Sequence, residues 1–221
     1  MPTSGSTDYV LNARQVVTHA LKILRVVAAS ETPSAEDMED SIEALNLMLK
    51  SWQMTMPNLW RRAEGSVSLV SATASYVLAS AYRIESARFR QNGRDLPMEL
   101  LTRDEYQDMP LKTTLGIPTQ YYFDPQRATG TLYVWPVLAA AAGETIQYTY
   151  QRRFEDIDSA NDDIDIPQEY LQTVAYNLAE NLLDIFGKDD ATARRVMLKA
   201  GSLRTEMQMA DREDVVRFVP G

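Results

Sequence analysis

Residues 120–124 read QYYFD, residues 131–135 read TLYVW and residues 145–150 read TIQYTY. The three runs are rich in β-branched and aromatic residues, which favour the half-buried surface of a pleated sheet. Proline and glycine separate each run from the next, as turns between strands require. The stretch therefore predicts consecutive β-strands. The sequence on both sides of this stretch has the periodicity of helices. The stretch therefore decides the fold, because it adds a sheet to a chain that would otherwise be predicted as helical.

The β-rich part begins near Gly65 and includes a hairpin upstream of the three runs. Asn92-Gly93 is the strongest short hairpin signal, because a type I′ turn needs a positive φ at both of its central residues. The run Ile84–Arg90 precedes this turn. Pro97 in the returning strand favours an edge position, since proline cannot donate a hydrogen bond to a neighbouring strand. Three apolar residues of the returning strand are expected to share one face: Leu96, Met98 and Leu100.

Two helices are predicted before the β-rich part. The first is expected to run from Tyr9 to Ala29, with Thr7 or Asp8 as its cap. The second is expected to begin after Ser34, a favoured N-cap residue, and to end before Pro57. Apolar residues of the second helix recur at alternating spacings of four and three, which predicts a narrow seam that packs against another helix. This seam contains Ile42, Leu45, Leu49 and Trp52.

Two further helices are predicted after the β-rich part. The third begins at Pro167, which suits the first turn of a helix, and ends at Gly187, a favoured residue just beyond a helix end. The fourth is expected from about Asp189 to Arg212. The short connection between the third and fourth helices predicts an antiparallel pair. The fourth helix carries a seam of its own, which includes Val196, Leu203 and Met207.

The order of these elements predicts an α+β protein. In this interpretation the N- and C-terminal helices form an antiparallel helical bundle, and an antiparallel β-sheet or sandwich is inserted into it. The predicted domains are residues 1–63 with 154–212 for the helices, and residues 64–153 for the β insert. Residues 213–221 are expected to form an extended C-terminal tail.

The net charge of −9 is unevenly spread over the 221 residues. Residues 154–221 hold seven basic and fifteen acidic residues, which gives −8, whereas residues 1–63 give −1 and residues 64–153 give zero. Tight binding of nucleic acid needs clustered Lys and Arg, and this chain has only short basic pairs. No apolar run approaches the ~20 residues of a membrane-spanning helix, so a membrane partner is not expected.

Residue types that carry catalysis are scarce. The chain has no cysteine and a single histidine, His19, so neither a nucleophilic triad nor a His/Cys metal site is expected. Nine scattered glycines form no phosphate-binding loop, and no cofactor is expected. The acidic stretch 155–165 lacks the glycine and the final glutamate of a calcium-binding loop, which favours a solvated connector over a calcium site. We therefore expect no catalytic residue and no enzyme.

Two apolar features are expected to form packing or protein–protein contacts and not a catalytic or ligand-binding site. The aromatic residues of the three strand runs lack interleaved basic residues, which favours a sheet core and a protein interface over a site that stacks sugars or bases. The C-terminal tail is apolar after a charged break, and such a tail often adds to a partner's sheet or enters its groove. The tail residues proposed to bind a partner are Val215, Val216, Arg217, Phe218 and Val219.

Four motifs in a fixed order carry a resemblance to a known family. LNLMLKSW at 45–52 leads into Leu59-Trp60, GIPTQYY lies at 116–122, LYVWP lies at 132–136, and IDIPQEY at 164–170 opens an Ala/Leu-rich helix. In this order the chain resembles the head-to-tail adaptors of short-tailed bacteriophages, also termed tail accessory factors or head completion proteins. The resemblance covers roughly residues 10–212.

The resemblance implies a structural virion protein that closes the DNA-filled capsid and offers the site of tail attachment. The implied assembly is a homo-oligomeric ring, dodecameric in the family, below the portal protein at the head-tail junction, built in the host cytoplasm. Residues 215–219 would reach the portal, and other tail proteins would bind the ring. Double-stranded DNA would pass through the channel without specific binding. Because basic contacts are what retain DNA, the acidic residues of the last third are expected near the channel.

Two other functions remain open at the level of sequence. One is a cell-wall-degrading glycosidase that uses two carboxyl groups, although thirty-one acidic residues offer such pairs in almost any fold. The other is a monomeric ligand-binding module that uses the aromatic sheet.

Overall fold

A computed structural model describes residues 5–55, 59–127 and 129–210 of the chain. The chain divides into two compact units, Met1–Trp60 with Phe154–Gly221 and Arg61–Arg153. The first unit is helical and the second contains a sheet, so the α+β class predicted from the sequence is confirmed.

Six α-helices lie in the described residues. They are α1 (Ala13–Ile23), α2 (Ala35–Thr55), α3 (Arg103–Asp108), α4 (Leu171–Asn181), α5 (Leu183–Phe186) and α6 (Asp190–Ala210), with short 3₁₀ turns at Leu59–Arg61 and Gln168–Tyr170.

Helix α1 begins later than the predicted Tyr9, because Asn12 caps it. The Asn12 side chain accepts the N–H of Gln15 at 3.0 Å, and the Gln15 side chain accepts the N–H of Asn12 at 3.0 Å. This reciprocal capping box satisfies two donors that the first turn of a helix leaves unpaired. The helix also ends at Ile23 rather than at Ala29.

The predicted starts of the second and fourth helices are confirmed, whereas the predicted third helix is divided into a 3₁₀ turn at Gln168–Tyr170, α4 and α5. The Ser34 hydroxyl accepts the N–H of Asp37 at 3.1 Å and caps α2. Gly187 has a φ of 52°, a left-handed conformation that suits glycine, and it ends α5. The Asp189 carboxylate accepts the N–H of Thr192 at 3.2 Å and caps α6.

The apolar faces of the long helices share one core. Among the described residues, twenty-three buried side chains contribute. They come from α1 and the segment that follows it, from α2, from the connector 154–164, and from α4 to α6 with Leu182 between α4 and α5. Fully buried members include Val16, Leu21, Leu45, Leu178, Leu182 and Val196. Because burial of each large apolar side chain contributes roughly 1.5–3 kcal/mol, this shared core is the main source of stability of the helical unit.

The β unit contains one seven-stranded sheet, nearly closed like a barrel. Its strands are β1 (Arg62–Ser68), β2 (Ser75–Leu78), β3 (Ala81–Gln91), β4 (Arg94–Leu100), β5 (Gln120–Pro125), β6 (Gly130–Trp135) and β7 (Thr145–Arg152). They follow the order β1-β7-β3-β4-β5-β6-β2. The three runs that predicted strands are β5, β6 and β7, and in β6 the buried residues alternate, with Leu132 and Val134 on the inner face.

The expectation of an antiparallel sheet or sandwich is wrong in one respect. Strand β4 pairs with β5 in parallel, through Glu99 with Gln120 and Leu100 with Tyr121. Parallel neighbours need a long crossover, and here residues 101–119, which include α3, supply it. All other pairs of strands in the sheet are antiparallel.

The strand that holds Pro97 is not an edge strand, because β4 lies between β3 and β5. The pairing with β5 is confined to Glu99 and Leu100, so it stops short of the proline. The expected shared face is also only partly correct: Met98 is buried, but Leu96 and Leu100 are about half exposed. The hairpin before it is confirmed, since Asn92 and Gly93 have φ values of 50° and 75°.

Candidate functional site

A groove of about 670 Å³ lies between helices of the helical unit. Helix α2 contributes one side, with Ala44, Leu47, Met48, Ser51, Trp52 and Thr55. The other lining residues come from α4, α5 and α6, and they are Asn177, Asn181, Ile185, Arg204 and Gln208. Leu47 is 66% exposed and Ile185 is 51% exposed, so the groove presents apolar side chains to its surroundings.

A polar network lies within this groove. Asn177 is buried, and its Nδ2 donates to the carbonyl oxygens of Thr173 at 2.8 Å and of Ala200 at 3.5 Å. Its Oδ1 accepts from Nε of Arg204 at 2.7 Å, and the Arg204 guanidinium also forms an ion pair with Glu180. The network joins α4 to α6 and pairs a partly buried positive charge with a carboxylate, as burial of charge requires.

The predicted seam residues lie inside the chain's own fold. Leu45, Leu49, Trp52, Val196, Leu203 and Met207 are buried, and Ile42 is half-buried and packs against the same core. The seam side chains are therefore used for packing within one chain. Exposed apolar residues on other faces of α2 and α6 are Leu47, Met54, Met197, Leu198 and Met209.

The acidic connector folds back on itself. The Asp162 carboxylate accepts the N–H groups of Asp158 at 3.0 Å and of Ser159 at 2.7 Å. Its backbone carbonyl accepts the N–H of Ala13 at the start of α1 at 2.9 Å. In the described part of the chain, no group of three or more His, Cys, Asp or Glu is placed to hold a metal ion. The arrangement is that of a structural loop tied to α1.

The connector is also fastened to α2, and the sequence patterns did not predict this. The Asn46 side chain bonds both backbone groups of Ile157, Lys50 donates to the carbonyl of Phe154 at 2.8 Å, and Gln53 accepts the N–H of Phe154 at 3.0 Å. The three polar residues recur at the spacing of one helix face. That periodicity, next to the apolar seam, is the signal that indicates a docked segment.

The aromatic residues of the sheet pack on one another. Tyr106 of α3 lies 5.4 Å from Tyr122 and 5.2 Å from Tyr133, measured between ring centroids, and Tyr122 and Tyr133 stack at 5.8 Å. Tyr121 is buried in the main sheet core. These rings therefore serve the core of the β unit, in the geometry that aromatic pairs prefer.

The titration of the carboxyl groups bears on the glycosidase alternative, which needs an acid of raised pKa. Each described carboxyl group whose pKa departs from its ordinary value moves downward: Asp8, Asp95, Glu105, Glu144 and Asp189. Hydrogen bonds to Ser6, Arg90, Thr102, Ala142 and Thr192 are the main causes. A lowered pKa favours the ionised form and not the proton donor.

Two further sequence predictions concern single features. His19 is exposed on α1. The residues proposed to bind the portal, Val215, Val216, Arg217, Phe218 and Val219, lie outside the described residues. Within the part of the chain that is described, no helix is both long and apolar enough to cross a membrane.

Comparisons with known proteins match the chain to one protein family and to solved virion structures. The model of the SU10 adaptor protein family matches residues 12–220. Among solved structures, a chain of the virion of a native gene transfer agent particle is 14% identical, with 98% of this chain and 97% of that chain covered and a TM-score of 0.33. A chain from the neck of an empty gene transfer agent particle, computed with C6 symmetry, is 12% identical, with 85% and 93% covered and a TM-score of 0.30. The comparison with curated proteins gave no match.

Proposed function

The chain belongs to the SU10 adaptor protein family, and on this premise we propose that it forms a closed ring that joins the portal protein of a phage head to the tail. The observation that carries the proposal is the family match over residues 12–220, which includes both the helices and the sheet. The match confirms the resemblance to phage head-to-tail adaptors that the four motifs indicate. The function proposed is structural, at the head-tail junction of the virion, after assembly in the host cytoplasm.

In this proposal the two parts of the chain have different partners. The helices of residues 1–63 and 154–212 form an antiparallel bundle that surrounds the channel, and the insert of residues 64–153 binds tail proteins. The buried core that α1, α2, α4 and α6 share supports a rigid helical frame. The surface loops of the insert supply the variable contacts that binding of a partner requires.

A closed ring needs a heterologous interface, in which one patch of each copy meets a different patch of its neighbour. The helical unit offers a concave patch in the groove beside Leu47 and Ile185. It also offers exposed apolar residues on α6, Leu198 and Met209, which are 77% and 65% exposed. We propose a dodecameric ring as the family resemblance implies.

The charge distribution supports a channel through which DNA moves without being held. Residues 154–221 carry −8 of the net charge of −9. Since bound phosphates are retained by Lys and Arg, an acidic wall weakens non-specific binding of double-stranded DNA. In the proposed ring the acidic residues of this region face the channel. A ring structure in which they lie on the outer rim would contradict this part of the proposal.

The test is reconstitution with the cognate portal protein. The purified chain is mixed with portal rings, and the product is imaged by electron microscopy and weighed by native mass spectrometry. A ring of this chain stacked on the portal is the expected result. A chain that stays separate from the portal at micromolar concentrations, in low and moderate salt, would overturn the proposed function.

A further inference from the structure

We propose that the outer face of α2 in one copy packs against the outer face of α6 in the neighbouring copy, with the two helices running in the same direction. The outer face of a helix is the side opposite to its buried residues. In this arrangement Glu43 lies beside Arg194 of the neighbouring copy, and Leu47 lies beside Leu198 of that copy. The inference rests on the proposed function and deepens it, because it names the two surfaces that meet when the ring closes.

The outer face of α2 changes from acidic to apolar along the helix. Its buried residues, which include Leu45 and Trp52, lie on the opposite side. Outer-face positions recur every three or four residues, as the period of a helix requires, and all of them are exposed. These positions hold Glu36, Asp40, Glu43, Leu47, Ser51 and Met54. The first half of this face is therefore acidic, and the second half offers two large apolar side chains to a partner.

The outer face of α6 has a similar layout with charge of the opposite sign. Its exposed positions, opposite to the buried Val196 and Leu203, are Arg194, Leu198, Ser202, Thr205 and Met209. Arg195 and Lys199 are exposed beside Arg194 and make this end of the helix basic. In the described part of the chain, neither Arg194 nor the three acids of the α2 face form an ion pair. The charges of both faces are thus available to a partner.

One alignment fits the two faces together over about three helical turns. When Glu43 is set beside Arg194, Leu47 lies beside Leu198, because each leucine follows its charged residue by four positions. The same spacing continues in the next two pairs, which are Ser51 with Ser202 and Met54 with Thr205. Helices pack through such rows of residues at spacings of four and three. The alignment therefore joins opposite charges and buries the two leucines against each other.

The fold gives both helices the direction that this alignment needs. Trp60, which follows α2, packs on Tyr170 at the start of α4, with 5.0 Å between the ring centroids. The end of α6 lies at the same place, since Met207 and Tyr170 line one depression. Because both helices pack along α4, they run opposite to it and parallel to each other. Rotation about an axis along these helices keeps their direction, so it brings the neighbour's α6 parallel to α2.

A second copy of this chain suits the two faces because each face supplies what the other lacks. Two different and complementary faces on one unit make head-to-tail contacts, which are the contacts that close into rings. Complementary charges fix the relative position of the partners and exclude wrong ones. Leu47 also lines the groove, so a helix packed on this face lies along the α2 side of the groove.

A disulfide reports this contact directly, because the chain has no cysteine of its own. A chain with Leu47→Cys is mixed with a chain with Leu198→Cys and oxidised, once on portal rings and once at high concentration without them. A disulfide between the two chains is expected, since the bond needs Cα atoms about 4–7 Å apart. Each variant alone should stay unlinked, because each face meets a different face.

The matched control replaces Leu198→Cys by Met209→Cys. Met209 is exposed on the same face of α6, but it lies eleven residues farther along, which is about 16 Å in a helix. It should link to Leu47→Cys at a several-fold lower yield. An equal or higher yield with Met209→Cys would overturn the parallel alignment.

Charge reversal tests the pair of Glu43 and Arg194. Glu43→Arg should lower the amount of ring on the portal about tenfold, because like charges then meet at every interface, and Arg194→Glu should act similarly. The chain with both changes should recover to within about threefold of the parent, which a misfolded variant would not do. Glu155→Arg makes the same change of net charge at an exposed residue of the connector, and it should leave the rings unchanged. Failure of the double variant to recover would overturn the pairing.

These experiments separate the interface from the proposed function. If rings form on the portal without the disulfide between positions 47 and 198, the interface is wrong and the adaptor function stands. If no chain binds the portal but this disulfide forms in the concentrated protein, the adaptor function fails and the interface stands. Absence of the disulfide under both conditions overturns the interface.

Discussion

The side-chain amide of Asn46 forms a two-way hydrogen-bond pair with the backbone of Ile157. Its Nδ2 donates to the Ile157 carbonyl at 2.9 Å, and its Oδ1 accepts the Ile157 N–H at 3.0 Å. An asparagine amide presents one donor edge and one acceptor edge, so it can pair with a peptide group as another strand would. The pair holds the connector against the middle of α2, while the Ile157 side chain is buried in the helical core.

We expect Asn46→Ala to destabilise the chain by roughly 1–3 kcal/mol, because both Ile157 backbone groups lose their partner. Asn46→Asp should destabilise at least as much, since its carboxylate still accepts the N–H but sets a charged acceptor against the Ile157 carbonyl. Urea denaturation followed by circular dichroism measures both. Asn161→Ala, in the exposed part of the same connector, is the control and should change stability little. An equal effect at both asparagines would argue against the pair as the cause.

Replacement of Arg204 by methionine should lower stability by about 1–3 kcal/mol, because it leaves the buried Asn177 Oδ1 without its donor. The comparison is Arg194→Met, which removes the same charge from an exposed position of the same helix. Combining Arg204→Met with Asn177→Leu should cost less than the sum of the two single changes, since the Asn177 amide that Arg204→Met leaves unpaired is then absent. Strictly additive effects would contradict the network.

Gly65→Ala should destabilise the β unit by about 1–3 kcal/mol. A Cβ at this position would lie 2.6 Å from the hydroxyl oxygen of Tyr148, whose ring covers the glycine. Gly201→Ala provides a control of opposite sign: nothing lies within 4 Å of its Cβ, and alanine favours a helix by roughly 0.5–1 kcal/mol. Thermal unfolding of the two variants should therefore shift in opposite directions, and a common direction would refute the assignment of Gly65.

The acid stability of the chain should depend on Glu105. Its pKa is held below 4.5 mainly by the hydrogen bond from the Thr102 backbone N–H, with a second from the Thr102 hydroxyl. A carboxyl group whose pKa is lowered by folding contributes stability that is present above about pH 4.5 and is lost as the pH falls through the folded value. Glu105→Gln retains the capping box without the titration. Stability measured between pH 7 and about pH 3 should fall less steeply in this variant than in the parent chain.

Truncation after Arg212 should abolish stacking on the portal, because it removes residues 215–219. A chain of full length in which these five positions are glycine and serine separates the loss of side chains from the loss of length. A circular dichroism spectrum that matches the parent chain would show that the helical unit of each variant is still folded. Portal binding that persists in both variants would show that the tail is not the portal ligand.

Local chemistry explains which parts of the fold were predictable. Ser34, Asn92-Gly93 and Gly187 act through their own backbone and nearest neighbours, so their motifs predict the structure directly. The start of helix α1 was predicted wrongly because Thr7, Asp8 and Asn12 are all residue types that cap helices. Asn12 is the cap, since it forms a capping box with Gln15. Its start also depends on the connector, whose Asp162 carbonyl accepts the Ala13 N–H from far along the chain.

The order of the strands in the sheet could not be predicted from the sequence patterns, because it also depends on contacts between distant parts of the chain. Pairing of β4 with β5 depends on where the crossover 101–119 packs, and a local pattern carries no information about that. Pro97 favoured an edge, but the parallel pairing simply stops short of it. The groove could not be predicted from the sequence either, because Leu47, Ile185 and Gln208 come together only when α2, α5 and α6 have packed around α4.

The pairing of β1 with β7 has a consequence for how such proteins diversify. Arg62 lies opposite Gln151, so the chain enters and leaves the β unit on neighbouring strands, which in sheets are about 4.8 Å apart. A segment whose two ends are so close can be exchanged for another, or replaced by a short turn, with little strain on the flanking helices. Recombination between related viruses could thus transplant the insert whole, while the helical frame is inherited unchanged.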